Sequence, residues 1–224
     1  TVETDKFEMD GAMRRISDEV LSDGFIDCHP DGKRCAGEVM VDGRKRIAFF
    51  DANGKRSGLL ANDSGDDADP QWSPDGKSLL FRSSRSGHWE LYRGDANGDA
   101  AKLLTFHPGN DALGKHEYGG EGPARWSHDG KRIVWMRKFP DAGYDVWTMD
   151  ADGSDAENLT ESHAGNDGYP AFSPDGKWIA FDSNRDKSNE VYVMGADGSN
   201  PRRITTSPGG NLAPLWVRAT EPAK

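Results

Sequence analysis

The chain has 224 residues and a net charge of −10 at pH 7, with 38 acidic against 28 basic side chains. Because nucleic acids and anionic membrane surfaces attract basic patches, this charge argues against both as partners. No apolar stretch approaches the roughly 20 residues that a membrane-spanning helix needs. The 27 glycines and 12 prolines predict many turns, and 7 tryptophans with 9 phenylalanines supply large apolar groups, so many short strands are favoured.

A motif built around an Asp-Gly turn occurs four times along the chain. Its aspartates are Asp31, Asp75, Asp129 and Asp175, which are 44, 54 and 46 residues apart. A repeat of this length matches the four-stranded blade of a β-propeller and exceeds the length of the common two-helix repeats. Glycine, proline and aspartate recur where a helix would have to continue, which excludes helix pairs.

The N-terminal residues 6–17, KFEMDGAMRRIS, look like the third and fourth strands of a repeat. Residues 211–217, NLAPLWV, look like a first strand. We therefore expect a composite blade from residues 1–17 with 211–224, which would close a ring of sheets and protect its edge strands.

Four complete units lie between these ends, and each is expected to form one blade. In the second unit the strands are PQW, SLLF, WELYR and AKLLT, and Asn-Gly or Asp-Gly turns supply the positive φ angles that tight hairpins need. The sequence thus predicts an all-β fold, a propeller of about five four-stranded blades in a single domain over residues 1–224. The units span residues 22–61, 66–105, 121–160 and 167–205.

Cys28 and Cys35 are the two cysteines of the chain, and they lie on opposite arms of the first Asp-Gly hairpin. They occupy the slots that Trp72 and Leu79 fill in the second unit. Cysteines that face each other across a hairpin can form a disulfide, which would imply an oxidising compartment such as the periplasm. Two buried thiols are the alternative.

The fourth unit reads PAFSPDGKWIAFDSNR and then VYVMGADGSNPRRIT. This pattern resembles the TolB-type propeller repeat, a WD40-like repeat also called PD40, over most of residues 22–217. The repeat is found in periplasmic TolB proteins and in the propeller domains of prolyl-oligopeptidase-like peptidases. The resemblance implies the fold, and, because TolB propellers have six blades, a fragment of a six-bladed propeller is an alternative. The same blade serves scaffolds, peptidase gates and oligogalacturonate lyases, so it implies no single function.

One position, five residues before the aromatic slot of each first strand, is acidic or an amide in every unit. Because the first strand is innermost in a propeller, we expect these side chains to ring one mouth of the channel and to receive a partner. A structural role is the alternative, with bonds to backbone N–H groups and with Arg85 and Arg185 as counter-charges. Asp67, Glu121 and Asp167 are also candidate ligands for Ca²⁺ or another metal. The column consists of Asp23, Asp67, Glu121, Asp167 and Asn211.

The connector from Thr105 to Glu121 takes sixteen positions where most others take six. Long connectors on a rigid scaffold are where binding residues usually lie, so we expect a side wall of the partner site here. Histidines near Glu121 could alternatively bind a transition metal. The side-wall residues are His107, His116 and Tyr118, joined by His163 of the next connector.

These features favour a secreted or periplasmic scaffold that binds a protein loop, a peptide or a glycan at the acidic mouth. A metal-assisted polysaccharide lyase or hydrolase that uses the histidines is the first alternative, and a structural subunit of a larger assembly is the second. Neither a Gly-x-Ser-x-Gly elbow nor a His-Glu-x-x-His motif occurs in the sequence, so no local motif marks a hydrolase.

Overall fold

The computed structural model describes residues 24–105, 120–139, 143–161, 165–206, 210 and 213–216, and the strands at 6–9 and 12–15 by their backbone. Every regular element in these ranges is a β-strand, which confirms the all-β prediction. No helix in the described part of the chain is long and apolar enough to cross a membrane. The chain divides into two compact units, residues 1–110 (unit 1) and 111–224 (unit 2).

Unit 1 contains two four-stranded antiparallel sheets, each a meander in which neighbours along the chain are neighbours in the sheet. A separate two-stranded hairpin, β1 (Lys6–Met9) with β2 (Ala12–Arg15), precedes them. The first sheet consists of β3 (Ile26–Cys28), β4 (Arg34–Val41), β5 (Arg44–Asp51) and β6 (Arg56–Leu59). The second consists of β7 (Asp67–Trp72), β8 (Ser78–Ser83), β9 (Glu90–Asp95) and β10 (Lys102–Leu103).

Unit 2 repeats the same plan with two further four-stranded meanders. The third sheet consists of β11 (Glu121–Trp126), β12 (Arg132–Phe139), β13 (Gly143–Asp150) and β14 (Glu157–Asn158). The fourth consists of β15 (Asp167–Phe172), β16 (Trp178–Ser183), β17 (Glu190–Gly195) and β18 (Arg202–Arg203). The four predicted blades are therefore present as four sheets. The composite blade stays a prediction, because most of residues 1–17 and 211–224 lie outside the described residues.

The Asp-Gly motif forms the turn between the first and second strands, as the second sheet illustrates. Gly76 adopts a φ of 70°, which a side chain would disfavour. The Asp75 carboxylate accepts bonds from the Ser73 hydroxyl and the Lys77 N–H. These bonds satisfy the turn locally, so the motif recurs because each blade needs the same turn.

Apolar side chains of the two sheets in each unit pack against each other. In unit 1 the cluster joins Ile47 and Phe49 of the first sheet to Trp72 and Phe81 of the second. In unit 2 a cluster likewise includes residues of both sheets, among them Val134, Val146, Phe172, Ile179, Phe181, Tyr192 and Met194. This burial is the main stabilising contribution in each unit.

Two buried carboxylates each accept a hydrogen bond from a strained residue further along the chain, which is on the next first strand for Glu38 and in the C-terminal segment for Asp182. Asp69 has a φ of 53°, and its N–H donates to Glu38 Oε1 at 2.9 Å. Ala213 has a φ of 51°, and its N–H donates to Asp182 Oδ1 at 3.1 Å. Left-handed backbone at non-glycine residues is uncommon, and here each one directs an amide at an acid on the preceding sheet.

Cys28 and Cys35 are cross-strand partners on β3 and β4 and are joined by a disulfide. The same hairpin carries His29, whose Nε2 lies 2.9 Å from the Gly76 carbonyl oxygen of the second sheet. The His29 ring also meets the Trp72 ring edge to face at 5.3 Å. The β3–β4 hairpin is thus closed by a disulfide and packed against the neighbouring turn of the second sheet.

Candidate functional site

Three of the five column residues lie in the described part of the chain, each at the first position of a first strand. Asp67 begins β7 in unit 1, and Glu121 and Asp167 begin β11 and β15 in unit 2. We call this end of each sheet the connector end, because the connector from the preceding sheet arrives there. Outside the described residues lie Asp23, Asn211, His107, His116, Tyr118 and His163.

The Asp67 carboxylate is fully buried and surrounded by donors. Arg85 Nη2 lies 3.1 Å from its Oδ1, and Asn62 Nδ2 lies 2.9 Å from its Oδ2. The Arg46 guanidinium adds a second positive charge, with Nε 3.7 Å from Oδ2. Because burial of a carboxylate without a counter-charge would be costly, these partners offset the cost of placing the Asp67 side chain in the interior.

The arginine of this pair is itself held by neighbours on the second and third strands. Arg85 Nε donates to the Ser83 hydroxyl at 2.9 Å. Its guanidinium carbon lies 5.2 Å from the Phe81 ring centre and 4.9 Å from that of Tyr92. A guanidinium fixed between a hydroxyl and two aromatic faces loses little further freedom when it pairs with a carboxylate.

Asp167 in unit 2 has the same arginine arrangement. Arg185 Nη2 donates to Asp167 Oδ2 at 2.9 Å, and its Nε donates to the Ser183 hydroxyl at 2.8 Å. The rings of Phe181 and Tyr192 lie 5.3 and 4.8 Å from the guanidinium carbon. Arg85 and Arg185 are thus the arginines that the sequence singled out as counter-charges.

Glu121 reaches a different arginine. Its Oε1 accepts two bonds from Arg137 at 2.8 and 2.5 Å, and its Oε2 accepts one from the Trp135 indole at 2.6 Å. The Arg137 guanidinium lies 4.5 Å from the centre of the Trp147 ring. Sequence reasoning missed Arg137, although the segment WMRKF, in place of FRSSR or FDSNR, carried the signal.

These pairs determine what the three carboxylates can do. Asp67 and Asp167 are 0% exposed and Glu121 is 1% exposed, so they brace the first strands from inside. Among the described residues, no group of three or more His, Cys, Asp or Glu side chains is arranged to hold a metal ion. Convergence of the column around one channel, and the metal and partner roles of its members, stay predictions.

Three other buried acids have perturbed ionisation, and the sequence did not single them out. Burial, and then the nearby Asp69 charge, raises the pKa of Glu38. Burial raises the pKa of Asp145, with the charges of Asp167 and Glu161 adding to it. Burial, with a further contribution from Asp167, raises the pKa of Asp182. Asp145 and Asp182 are therefore close enough to Asp167 to sense its charge.

The family model described as the TolB β-propeller domain matches residues 22–138, slightly more than half of the chain. The chain belongs to the TolB β-propeller family. A second model, the N-terminal β-propeller domain of tricorn protease, matches residues 139–221. The two propeller models together cover all four four-stranded sheets.

Relatives of this TolB-type chain include proteins of different kinds. One is the Tol-Pal system protein TolB of Anaeromyxobacter dehalogenans, which is 38% identical over 54% of this chain and 25% of its own length. Another is the uncharacterised peptidase YuxL of Bacillus subtilis, which is 30% identical over 54% of this chain and 22% of its own length. The chain thus spans about a quarter of these curated relatives.

Solved structures of TolB proteins show the same fold. The crystal structure of TolB from Acinetobacter baumannii has a TM-score of 0.71 at 24% identity, with 91% of this chain and 48% of that chain covered. A putative TolB from Agrobacterium tumefaciens has a TM-score of 0.69 at 23% identity and covers 87% of this chain and 70% of that chain. A puromycin hydrolase has a TM-score of 0.61 at 19% identity, with 88% of this chain and 31% of that chain covered.

Proposed function

We propose that this TolB-type chain is a binding scaffold that captures a segment of a partner protein at the connector ends of its sheets. The observation that carries the proposal is the set of buried ion pairs at Asp67, Glu121 and Asp167. They fix the first residue of β7, β11 and β15, so the connectors that lead into these strands are anchored to a rigid frame. Binding residues on loops are most effective when such a scaffold positions them.

The long connector between Thr105 and Glu121 makes this end the best candidate for recognition. It carries ten residues more than most others. In this proposal the three buried carboxylates hold the frame, and the connectors and the side chains beside them contact the partner. The relative named for the Tol-Pal system supports a role in protein contacts, because its name places it in an assembly.

The net charge of −10 indicates the chemistry of the partner. A partner segment with basic side chains would be attracted and oriented by this field. The disulfide between Cys28 and Cys35 supports an oxidising location, and we propose the periplasm or the cell exterior.

Site-specific photo-crosslinking tests the proposal. A photoreactive amino acid replaces exposed Glu161, at the connector end of the third sheet, or exposed Lys177, in the turn at the opposite end of the fourth. In the producing cells we expect a discrete protein adduct at position 161 and none at 177, with mass spectrometry identifying the captured peptide. Adducts at 177 alone, or at neither position, would contradict the proposal.

A deletion separates the connector from the frame. Removal of residues 108–117 shortens the long connector to the usual length and leaves every described ion pair in place. We expect loss of the adduct at position 161 with an unchanged β-sheet circular dichroism spectrum. An adduct of undiminished yield would show that the long connector has no part in recognition.

A further inference from the structure

Units 1 and 2 place opposite charges at one equivalent position of their third strands. Arg46 on β5 pairs with Val39, and Asp145 on β13 pairs with Arg137. To compare the sheets, residues of the second strand are counted from the one that pairs with the last residue of the first strand. This starting residue is Cys35 in the first sheet and Ile133 in the third. Val39 and Arg137 are each the fifth residue in this count. The register therefore makes Arg46 and Asp145 equivalent.

The consequence of this reversal appears at the aspartate that begins the next sheet. In unit 1, Arg46 lies against Asp67, which also has Arg85 and Asn62 as partners. In unit 2, β13 packs against β15, and Asp145 lies close enough to Asp167 for the Asp167 charge to contribute to its raised pKa, so the equivalent neighbour is a like charge. The position that supplies a cation in unit 1 supplies a second anion in unit 2.

Asp167 retains an oxygen without a partner among the described residues. Its Oδ2 is bonded to Arg185, but its Oδ1 is buried and accepts no hydrogen bond from the part of the chain that the structure describes. A buried acceptor without a donor destabilises the folded chain, and more so when it is charged. The unpaired oxygen indicates that a donor group is missing from this place.

A second reversal increases the negative charge around Asp167. Arg82 on β8 pairs with Ala68 and forms an ion pair with Asp69, whereas Asp182 on β16 pairs with Gly168 at the equivalent register. Asp182 is buried and senses the charge of Asp167. Among the described residues, Arg185 is the guanidinium that bonds Asp167, whereas Asp145 is held by the Asn158 amide and Asp182 by the Ala213 N–H.

We propose that unit 2 binds the guanidinium group of a partner's arginine between Asp145 and Asp167, in the place that Arg46 fills in unit 1. This inference rests on the proposed protein-binding function and gives the partner segment its chemistry. The planar guanidinium carries several donors and can bridge two carboxylates. A group that donates hydrogen bonds satisfies Asp167 Oδ1, and the lack of a described metal-ligand cluster favours an organic cation.

An arginine side chain can approach from the side of Asp145. Asp145 is 8% exposed, and Glu161 beside it is exposed. Asn158 Nδ2 holds Asp145 Oδ2 at 2.7 Å, which orients the carboxylate. A long, thin side chain with its charge at the tip suits such a site, because only its tip has to enter the interior, as the Arg46 side chain does in unit 1.

The test uses the full chain and two synthetic peptides, Ser-Gly-Arg-Gly-Ser and the same peptide with citrulline, the uncharged isostere of arginine. We expect saturable binding of the arginine peptide in calorimetric titration and at least tenfold weaker binding of the citrulline peptide. Asp145→Asn is expected to weaken arginine binding at least tenfold. Asp99→Asn removes the same charge at an exposed turn of unit 1 and should leave the affinity unchanged.

A charge-reversal variant provides a second measurement, which remains informative even if Asp145→Asn does not fold normally. Asp145→Arg recreates the arrangement of unit 1, so it should abolish peptide binding and raise the melting temperature. Equal affinity for the two peptides, absence of arginine-peptide binding, or full affinity in Asp145→Asn would overturn the inference. So would Ca²⁺ binding that Asp145→Asn abolishes in a chain that ignores the arginine peptide.

Failure of this inference is distinguishable from failure of the proposed function. A protein adduct at position 161 from a chain that does not bind the arginine peptide would leave the scaffold proposal standing without its arginine. Arginine-peptide binding without any adduct at that position would leave the cation site without a protein partner.

Discussion

The Glu121 carboxylate and the Arg137 guanidinium face each other directly across the β11–β12 pair and share two hydrogen bonds. In the second and fourth sheets the acid is an aspartate, and its arginine stands two residues further along the chain, at Arg85 and Arg185. In the third sheet, therefore, a longer acid is combined with an arginine that stands two residues earlier in the second strand. The first strands of the second, third and fourth sheets therefore each begin with a buried ion pair, and two different residue sets provide it.

Replacement of Arg137 by methionine is expected to destabilise the chain by about 3–5 kcal/mol, because it removes the counter-charge of the buried Glu121 carboxylate and leaves the Trp135 indole as its remaining described donor. Urea unfolding followed by tryptophan fluorescence measures the change. The double variant Glu121→Gln with Arg137→Met should lose less than the single one, since no buried charge remains. A loss in the double variant that equals or exceeds the single loss would mean that the arginine acts mainly through packing.

The exposed pair of Lys177 with Asp175 serves as the matched control for this prediction. Lys177 Nζ lies 4.0 Å from the carboxylate, and both side chains are more than half exposed. Lys177→Met should therefore change the free energy of unfolding by no more than about 1 kcal/mol.

Gly76→Ala and Gly176→Ala should differ although they change the same turn residue at the same φ, 70° and 69°. A methyl group at position 176 meets open space, so the cost is that of left-handed backbone, about 1 kcal/mol. A methyl group at position 76 would overlap the His29 ring and displace it from the Gly76 carbonyl. We expect at least about 1 kcal/mol of further loss in urea unfolding. Equal losses would show that the His29 contact contributes nothing.

Removal of the disulfide in Cys28→Ala with Cys35→Ala is expected to cost about 2 kcal/mol, because the bridge closes a short loop with a sequence separation of 7. Urea unfolding with and without reducing agent measures this. The reductant should lower the stability of the wild-type chain toward that of the variant and leave the variant unchanged. If the reductant does not change the free energy of unfolding of the wild-type chain, the disulfide does not make the expected contribution.

Asp182→Asn and Asp175→Asn should have opposite effects on stability at pH 7. The pKa of Asp182 is raised, so its folded form takes up a proton as the pH falls from neutral toward the ordinary value of 3.8, and stability rises. Asparagine keeps an acceptor for the Ala213 N–H without the charge, so Asp182→Asn should be more stable than wild type at pH 7. That difference should shrink as the pH falls.

The pKa of Asp175 is lowered by hydrogen bonds from the Ser173 hydroxyl and the Lys177 N–H. Its ionised form therefore stabilises the folded chain above pH 3.8, and this contribution is lost as the pH falls through the lowered value. Asp175→Asn should be less stable than wild type at pH 7 and equal to it in strong acid. Thermal unfolding from pH 7 to pH 3 measures both variants, and differences of the same sign would contradict the assignment.

Local patterns in the sequence were sufficient for the repeated meander. Ser-Pro-Asp-Gly and Asp-Gly-Ser turns, alternating apolar strands and a spacing of about 44 residues each act within one sheet, so the four sheets could be predicted. The position of Asp67, Glu121 and Asp167 at the start of the first strands followed from the same spacing. The Ser-x-Arg ends of the second strands offered Arg85 and Arg185 as counter-charges within the structural alternative, and each donates to the acid of its own sheet.

Only the tertiary structure decided the contacts that join one sheet to the next. Two such contacts are those of Arg46 with Asp67 and of Asp145 with Asp167. In each pair the two residues lie on different sheets and are 21 and 22 residues apart along the chain, respectively. The packing of two sheets decides which charged side chains meet away from water, and therefore whether opposite or like charges are buried together. A repeat spacing specifies each blade, and it does not specify which charges its neighbour will bury beside it.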